Sequence, residues 1–422
     1  MQFETICVVG LGYIGLPTAA LLATRGHRVV GLEVNAQVID SVNRGETHIV
    51  EPDLNAAVHE AVAAGKLTAA AVAPVADVYI IAVPTPFKDD RQPDTSYIEQ
   101  AATAIAPQLR PGNLVILEST SPVGTTEALA GWLAAARPDL DLPGQGGSQG
   151  DIRVAYCPER VLPGQVMREL ISNDRIVGGL TPTCTRSAVE FYRLFVEGEC
   201  IATDARTAEM CKLSENSFRD VNIAFANELS LICDRLGIDV WQLINLANHH
   251  PRVNILQPGA GVGGHCIAVD PWFIVASSPE EARLIRTARE VNDHKPDWVV
   301  GKVAAAMERG GDDALVACFG LAFKPNIDDL RESPAVKITL DIASRFPGKV
   351  LAVEPHIETL PAKLAAAGVQ LVSADEALAR AQVVALLVDH RDFAMLAPRV
   401  PDKTVIDTRG QWKASPQSQD AT

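Results

Sequence analysis

Ile6-Cys7-Val8-Val9-Gly10-Leu11-Gly12-Tyr13-Ile14-Gly15 carries the reading of the fold. A short apolar strand runs into glycines at positions 10, 12 and 15, and an Ala/Leu-rich helical stretch follows at once. In a βα turn of this kind one glycine permits the tight bend, one lets a pyrophosphate approach the backbone, and one allows close helix packing. The helix N-terminus adds a preference for negative charge. Arg28 to Glu33 reads as the second strand, and Glu33 stands 18 residues after Gly15. A carboxylate there accepts both ribose hydroxyls of NAD and repels the 2′-phosphate of NADP. NAD is therefore the expected cofactor, with Gly10, Gly12, Tyr13, Ile14, Gly15 and Glu33 around it.

Working outward, short apolar runs at Thr5–Val9, Val78–Val83, Leu114–Leu117 and Ile152–Tyr156 alternate with helical stretches, the rhythm of βαβ units around a parallel sheet. The Gly/Pro/Gln-rich segment Pro138–Asp151 reads as a surface loop. From Thr207 to about Gly237 neither Pro nor Gly interrupts the chain, and Met210, Leu213, Phe218, Val221, Ile223, Phe225, Leu229 and Ile232 recur at helical spacings. A buried connecting helix is expected there, with more helix through Trp241–Ala247 and Pro279–Met307. The βαβ rhythm returns at Ala314, where ACFGLAFK and KVLAVEPH echo the opening strands, although Ala322 stands in place of Gly12. The expected fold class is α/β, with two Rossmann-like parallel-sheet domains joined by a central, mostly helical domain that contains the long connecting helix. The expected divisions are 1–206 (NAD-binding), 207–310 (central helical), 311–412 (second Rossmann-like) and a disordered tail, 413–422.

The composition is that of an ordinary globular protein, 47% hydrophobic and 21% charged, with a net charge of -15 over 422 residues. That charge disfavours nucleic acid and anionic membrane surfaces as partners. No apolar run approaches the roughly 18 residues of a membrane span. The opening residues carry no basic n-region or apolar h-region, and the eight cysteines include no CxxC pair. A cytoplasmic protein without a zinc site is expected.

Candidate chemistry lies in five further places. Thr85, in Pro84-Thr85-Pro86, and Thr126, in residues 118–126, follow apolar strands at the edge where open α/β sheets bind ligands. Their hydroxyls serve either a ligand or the capping of strand ends and helix starts. Gly261-Val-Gly263-Gly264-His265-Cys266 sets a thiol in a glycine-walled loop four residues before Asp270. The glycines would let a substrate lie against the backbone, and beside an NAD fingerprint a thiol suits covalent oxidation of an aldehyde. Lys212 and Asn216 share a helical face that Arg219 continues, and an amine placed among Met210, Cys211 and Leu213 could stabilise an alkoxide or relay a proton. Glu159, in Cys157-Pro-Glu-Arg160 after a strand, could position a hydrolytic water.

Seven motifs in order make the chain resemble the nucleotide-sugar 6-dehydrogenases, the family of UDP-glucose dehydrogenase. They are the Gly10 fingerprint, PTP at Pro84, ESTSPVGTT at Glu118, PER at Pro158, the Lys212/Asn216 pair, the glycine loop through Cys266 to Asp270, and FKPNIDDLRESP from Phe323. The resemblance runs from about Thr5 to Gly410. It is strongest to the branch acting on UDP-N-acetyl-D-mannosamine, through His249-His250-Pro-Arg252 and GVGGHC followed by IAVDPW. Ile267-Ala268-Val269 replaces the Phe-Pro-Lys run typical of glucose-specific members, and Glu33 replaces the more usual Asp.

The resemblance implies a homodimer that oxidises a UDP-sugar at C6 in two NAD-dependent steps, its product serving cell-surface polysaccharide synthesis. It also implies roles for particular residues. Lys212, with Asn216 and Asp270, would manage the C6 alkoxide. Cys266 would hold the sugar as thiohemiacetal and thioester, and Glu159 with Lys212 would assist hydrolysis. Arg160, Val161, Arg219, His250, Arg252, Gly263, Phe323 and Lys324 would contact the nucleotide sugar, and Arg331 the cofactor.

Overall fold

The computed structural model describes residues 3–88, 91–144, 150–264, 266–400 and 402–412. The expected tail 413–422, residues 145–149 of the Gly/Pro loop and His265 lie outside the described residues. Packing divides the chain into two compact units: the residues up to Glu215 with Trp272–Ser277, and Asn216–Pro271 with the residues from Ser278 onward.

The first unit is organised by eight strands: β1 (Thr5–Val9), β2 (Arg28–Leu32), β3 (Leu67–Ala70), β4 (Val78–Ile81), β5 (Leu114–Leu117), β6 (Arg153–Tyr156), β7 (Arg175–Gly179) and β8 (Cys200–Asp204). They form one sheet in the order β3-β2-β1-β4-β5-β6-β7-β8. All neighbours are parallel except β6 and β7. Side chains alternate between two cores, with Ile6, Val8, Ile80 and Ile116 on one face and Cys7, Val9, Ile81 and Leu117 on the other. A sheet buried on both sides explains why these strands read as continuous apolar runs rather than as alternating ones. Strand order reverses between β1 and β4, so the crevice beyond their C-terminal ends falls at Gly10.

The second unit holds β9 (Val316–Phe319), β10 (Val350–Val353), β11 (Gln370–Leu371), β12 (Val383–Leu386) and β13 (Thr404–Asp407), all parallel, in the order β11-β10-β9-β12-β13. Its first four strands repeat the β3-β2-β1-β4 arrangement of the first sheet. The expected two parallel-sheet folds with helices between them are both present. The intervening helices are Ala205–Leu236, Val240–Ala247, Asp270–Ser277 and Arg283–Gly310, so the last begins four residues later than its sequence pattern suggests.

The long helix departs from expectation in the kind of face it buries. Leu213 is buried, but Met210, Phe218, Phe225 and Ile232 are exposed, Phe218 at 70%. Within the second unit the same helix instead buries Ser217, Asp220, Asn227 and Ser230. Their partners explain the inversion. Asp220 accepts from Arg289 at 2.6 Å and from Asn292 at 2.8 Å, Asn227 donates to Asn292, and Ser230 bonds Lys295. Burying Asp220, Asn227 and Ser230 costs little only because each of the three has a partner, and removing one side of a buried ion pair such as Asp220–Arg289 costs about 3–5 kcal/mol.

Lys295 is 2% exposed, and burial pushes its amine down to about 8, against the opposing influence of Asp234. Between that value and the unfolded lysine value of about 10.4 the unfolded chain binds the extra proton, so stability rises with pH over that window. Thermal unfolding of wild type and Lys295→Met between pH 7.5 and pH 9.5 checks this. The wild type should gain on the variant as pH rises, by up to several degrees on the scale of a one-kcal/mol change.

Candidate active site

The three fingerprint glycines have three different reasons to be glycine. Gly10 has φ +89°, and a Cβ there would lie 2.7 Å from the Ala82 carbonyl oxygen at the end of β4. A Cβ on Gly15 would lie 1.8 Å from the Gly10 carbonyl oxygen, so the helix Gly15–Thr24 packs on the turn by direct backbone approach. A Cβ on Gly12 would meet nothing within 4 Å. The turn is closed on two sides and open at Gly12, in front of a helix N-terminus, which fits a dinucleotide diphosphate. Glu33 lies at the end of β2. Its Oε2 accepts the Leu11 amide at 2.9 Å, and its Oε1 accepts the Val34 and Asn35 amides at 2.8 and 3.0 Å. Tyr13 is exposed at the turn and Ile14 partly so.

The strand-end threonines differ. Thr85 donates its hydroxyl to the Thr120 carbonyl at 2.6 Å and is partly exposed. Thr126 is fully buried, and its amide and hydroxyl are both donated to Glu209, at 2.8 and 2.6 Å. Glu209 also accepts the Gly124 amide. Burial pushes its carboxyl up, against these three hydrogen bonds. Thr126 therefore shapes the loop from inside the fold rather than presenting a hydroxyl. Glu209, one turn before Lys212, escaped the sequence reading because its partner lies 83 residues upstream.

Further along the first unit, Glu159 and Lys212 are brought together: the Lys212 amine donates to the Glu159 carbonyl at 2.9 Å. The Glu159 carboxylate is 8% exposed, accepts the Val161 amide at 2.6 Å, and lies 4.0 Å from the buried Arg175 guanidinium. Arg160 pairs with Glu215 at 2.7 Å and donates to the Asp174 carbonyl.

In the second unit Asn216 donates its amide to Asp270 at 2.5 Å, and Asp270 is buried. Asn216 stands one helical turn beyond Lys212 on the long helix. Cys266 is exposed, whereas Cys7, Cys157, Cys184, Cys233 and Cys318 are buried. Burial pushes the thiols of Cys7, Cys157 and Cys318 up to about 12. The Cys266 carbonyl accepts the Val269 and Asp270 amides at 3.0 and 2.8 Å. Cys266 thus lies in the turn leading into the helix Asp270–Ser277.

The glycines before Cys266 do a different job from the one expected. A Cβ on Gly263 would lie 2.5 Å from the Glu332 carbonyl oxygen and 2.6 Å from Pro334, and one on Gly261 would lie 2.9 Å from Pro334. Gly264 has φ +83° and faces the Phe323 ring. They are glycines so that the thiol loop can pack on the segment from Phe323 to Pro334, not to clear space for a ligand.

Phe323 and Lys324 line a cleft with Ala322, Pro334, Asp389 and Arg409. Arg409 donates to Asp389 at 2.7 Å. It follows β13, where a basic residue after a parallel strand is the signal that could have singled it out. Arg219, His250 and Arg252 are exposed and do not line this cleft. Arg331 makes a two-pronged ion pair with Asp329.

Three segments match the UDP-glucose/GDP-mannose dehydrogenase family: its NAD binding domain over residues 4–196, its central domain over 206–294 and its UDP binding domain over 317–414. The chain is 61% identical to an NDP-N-acetyl-D-galactosaminuronic acid dehydrogenase of Ralstonia nicotianae, covering 98% of this chain and 97% of that protein. It is 60% identical to the UDP-N-acetyl-D-mannosamine dehydrogenase of Escherichia coli, covering 98% and 100%. Among solved structures, the UDP-N-acetyl-mannosamine dehydrogenase of Staphylococcus aureus superimposes with a TM-score of 0.83 at 41% identity, covering 98% of this chain and 96% of that one. The chain belongs to the UDP-glucose/GDP-mannose dehydrogenase family, and it is an NAD-dependent nucleotide-sugar oxidoreductase. Among the described residues no helix is long and apolar enough to cross a membrane.

Alanine substitutions separate the roles of the glycines. Gly15→Ala should lower the melting temperature, because its methyl would overlap the Gly10 carbonyl. Gly12→Ala should fold with near wild-type stability and bind NAD at least about tenfold more weakly, a loss of about 1.4 kcal/mol. Thermal unfolding and NAD titration of the two variants read this out.

Proposed function

We propose that the chain oxidises UDP-N-acetyl-D-mannosamine at C6 to UDP-N-acetyl-D-mannosaminuronate, for cell-surface polysaccharide synthesis. The carrying observation is the exposed thiol of Cys266, held in a built turn beside Asp270 and Asn216. In a dehydrogenase that thiol specifies two oxidations rather than one. NAD at the Gly10–Gly15 turn would accept a hydride in each.

The residues divide the work. The Lys212 amine stabilises the C6 oxygen as its proton passes to water and the C6 hydride would pass to NAD, leaving the aldehyde, with the Asn216–Asp270 pair orienting that oxygen. The Cys266 thiolate then forms a C–S bond to the aldehyde carbon, and the resulting thiohemiacetal loses its second hydride to become a thioester. The Glu159 carboxylate holds the water that breaks the C–S bond, and the sulfur leaves as thiolate with the sugar carboxylate released. Lys324 and Arg409 supply positive charge for the diphosphate, and Phe323 an apolar wall. Arg160, Val161, Arg219, His250 and Arg252 complete the nucleotide-sugar contacts, and Glu33, Thr85 and Arg331 those of the cofactor. Residues 1–206, 207–310 and 311–412 serve as cofactor, central and nucleotide-sugar domains.

A homodimer in the cytoplasm goes with this reading. Phe218, Phe225 and Ile232 recur every seven residues, Leu236 follows one turn on, and all four are exposed. Such an apolar stripe on one helix suits a second copy of itself.

The 61% identity to an N-acetylgalactosaminuronate enzyme favours a second reading, in which the hexosamine has the galacto configuration. A panel of UDP-N-acetylhexosamines scored by NADH release decides between them. The manno substrate should be turned over fastest, and a clear preference for a galacto sugar would replace the first reading with the second. Cys266→Ala should form no uronate while binding NAD as the wild type does, and uronate production by that variant would remove the covalent step.

A further inference from the structure

The two sheets share a detail beyond their strand order. In the first, Gly10 follows β1 with φ +89°, and the amide of the next residue, Leu11, is donated to Glu33 beyond β2 at 2.9 Å. In the second, Gly320 follows β9, also with φ +89°, and the Leu321 amide is donated to Glu354 beyond β10 at 2.7 Å. Glu354 is therefore the counterpart of the residue that takes the cofactor ribose in the first unit, yet its surroundings differ. Glu33 is partly open to solvent, whereas the Glu354 side chain is 0% exposed and pairs with His390, also 0% exposed, at 3.0 Å. Ala322 adds a methyl where Gly12 leaves space.

Three backbone amides of the segment that carries Phe323 and Lys324 are tied to this pair. Glu354 accepts the Leu321 and Ala322 amides through Oε2 and the His356 amide through Oε1. His390 Nδ1 accepts the Asn326 amide at 2.9 Å, which assigns the ring proton to Nε2 and makes Nε2 the donor to Glu354. Asn326 itself is held at φ +62°, a conformation that needs such support, and its side chain accepts the Arg391 amide. On the other wall of the cleft, Gln411 donates to the His390 carbonyl, two residues from Arg409. Glu354, His356 and His390 bring their donor atoms within 4.8 Å of one another, but both His390 nitrogens are already engaged in this clamp.

We propose that His390, seated on the buried Glu354 carboxylate, is a positioning device for the UDP-sugar cleft: Glu354 occupies what would be a second dinucleotide-ribose site, and the tether from His390 Nδ1 to the Asn326 amide fixes the Leu321–Asn326 loop so that Phe323 and Lys324 meet the nucleotide. This deepens the proposed function and rests on its assignment of Phe323 and Lys324 to the substrate.

Two substitutions at His390 separate positioning from bulk stability. His390→Gln can keep a donor to Glu354 but loses the acceptor at the Nδ1 position. His390→Asn places a carbonyl oxygen near Nδ1, keeps the Asn326 tether and leaves Glu354 without its donor. Calorimetric titration with UDP and steady-state kinetics are measured on both full-length variants and on the wild type. The Gln variant should bind UDP about tenfold more weakly and raise the UDP-sugar KM to match, the loss of one buried hydrogen bond, with kcat at saturation and the NAD KM within about twofold of wild type. The Asn variant should bind UDP within about threefold of wild type despite a lower melting temperature. Equal UDP affinity in the Gln variant and wild type would overturn the positioning role. Failure of wild type itself to bind UDP would instead overturn the substrate assignment beneath it.

Discussion

A carboxylate beyond the second strand that receives the amide following the first strand's glycine is the constraint on which both halves of this molecule are built. The left-handed glycine turns the chain sharply out of the sheet, leaving a backbone N–H pointing across the neighbouring strand, and a buried N–H needs an acceptor. Glu33 and Glu354 supply it in the two units. What surrounds each carboxylate then sets its use. Beside an open Gly12, Glu33 stays partly exposed to solvent, whereas Glu354 is enclosed by His390 and becomes internal support. Burial pushes the Glu354 carboxyl up, but the His390 hydrogen bond, the Leu321 amide and the His356 amide together hold it below the ordinary carboxylate range. The pair therefore stabilises the fold as an ionised carboxylate above the unfolded glutamate value near 4.3, and that contribution fades as pH falls through the lower folded value.

The same economy of close backbone contact explains the loop before Cys266. Gly261 and Gly263 let that loop press on Pro334 and the Glu332 carbonyl, so the thiol is supported by the segment that also supplies Phe323 and Lys324. A loop packed this closely has less conformational freedom than an open turn.

Much of this was legible in the sequence because the governing interactions are local. The fingerprint turn, the continuous apolar strands and the break between the two sheets are all set by residues within a few positions of one another. What escaped reading depends on partners far apart in the chain. Apolar residues on the long helix suggested a buried face, but Asp220 and Asn227 find Arg289 and Asn292 some 65–70 residues later, and those pairs draw the polar face inward. Thr126 looked like a ligand-facing hydroxyl until Glu209 supplied its acceptor. The glycines before Cys266 looked like room for a substrate, because nothing local announces that Pro334 will fill the space. Arg409 and His390 were both visible at the ends of parallel strands, yet only the assembled sheet puts them beside Lys324 and Asn326.

The central claim is that one thiol carries the sugar between two oxidations, and the number of hydrides removed per sugar tests it most directly. With limiting UDP-N-acetyl-D-mannosamine and excess NAD, NADH counted by absorbance against the sugar consumed should reach two for each molecule, with the uronate as the product. A ratio of one, with an aldehyde accumulating in solution, would contradict it.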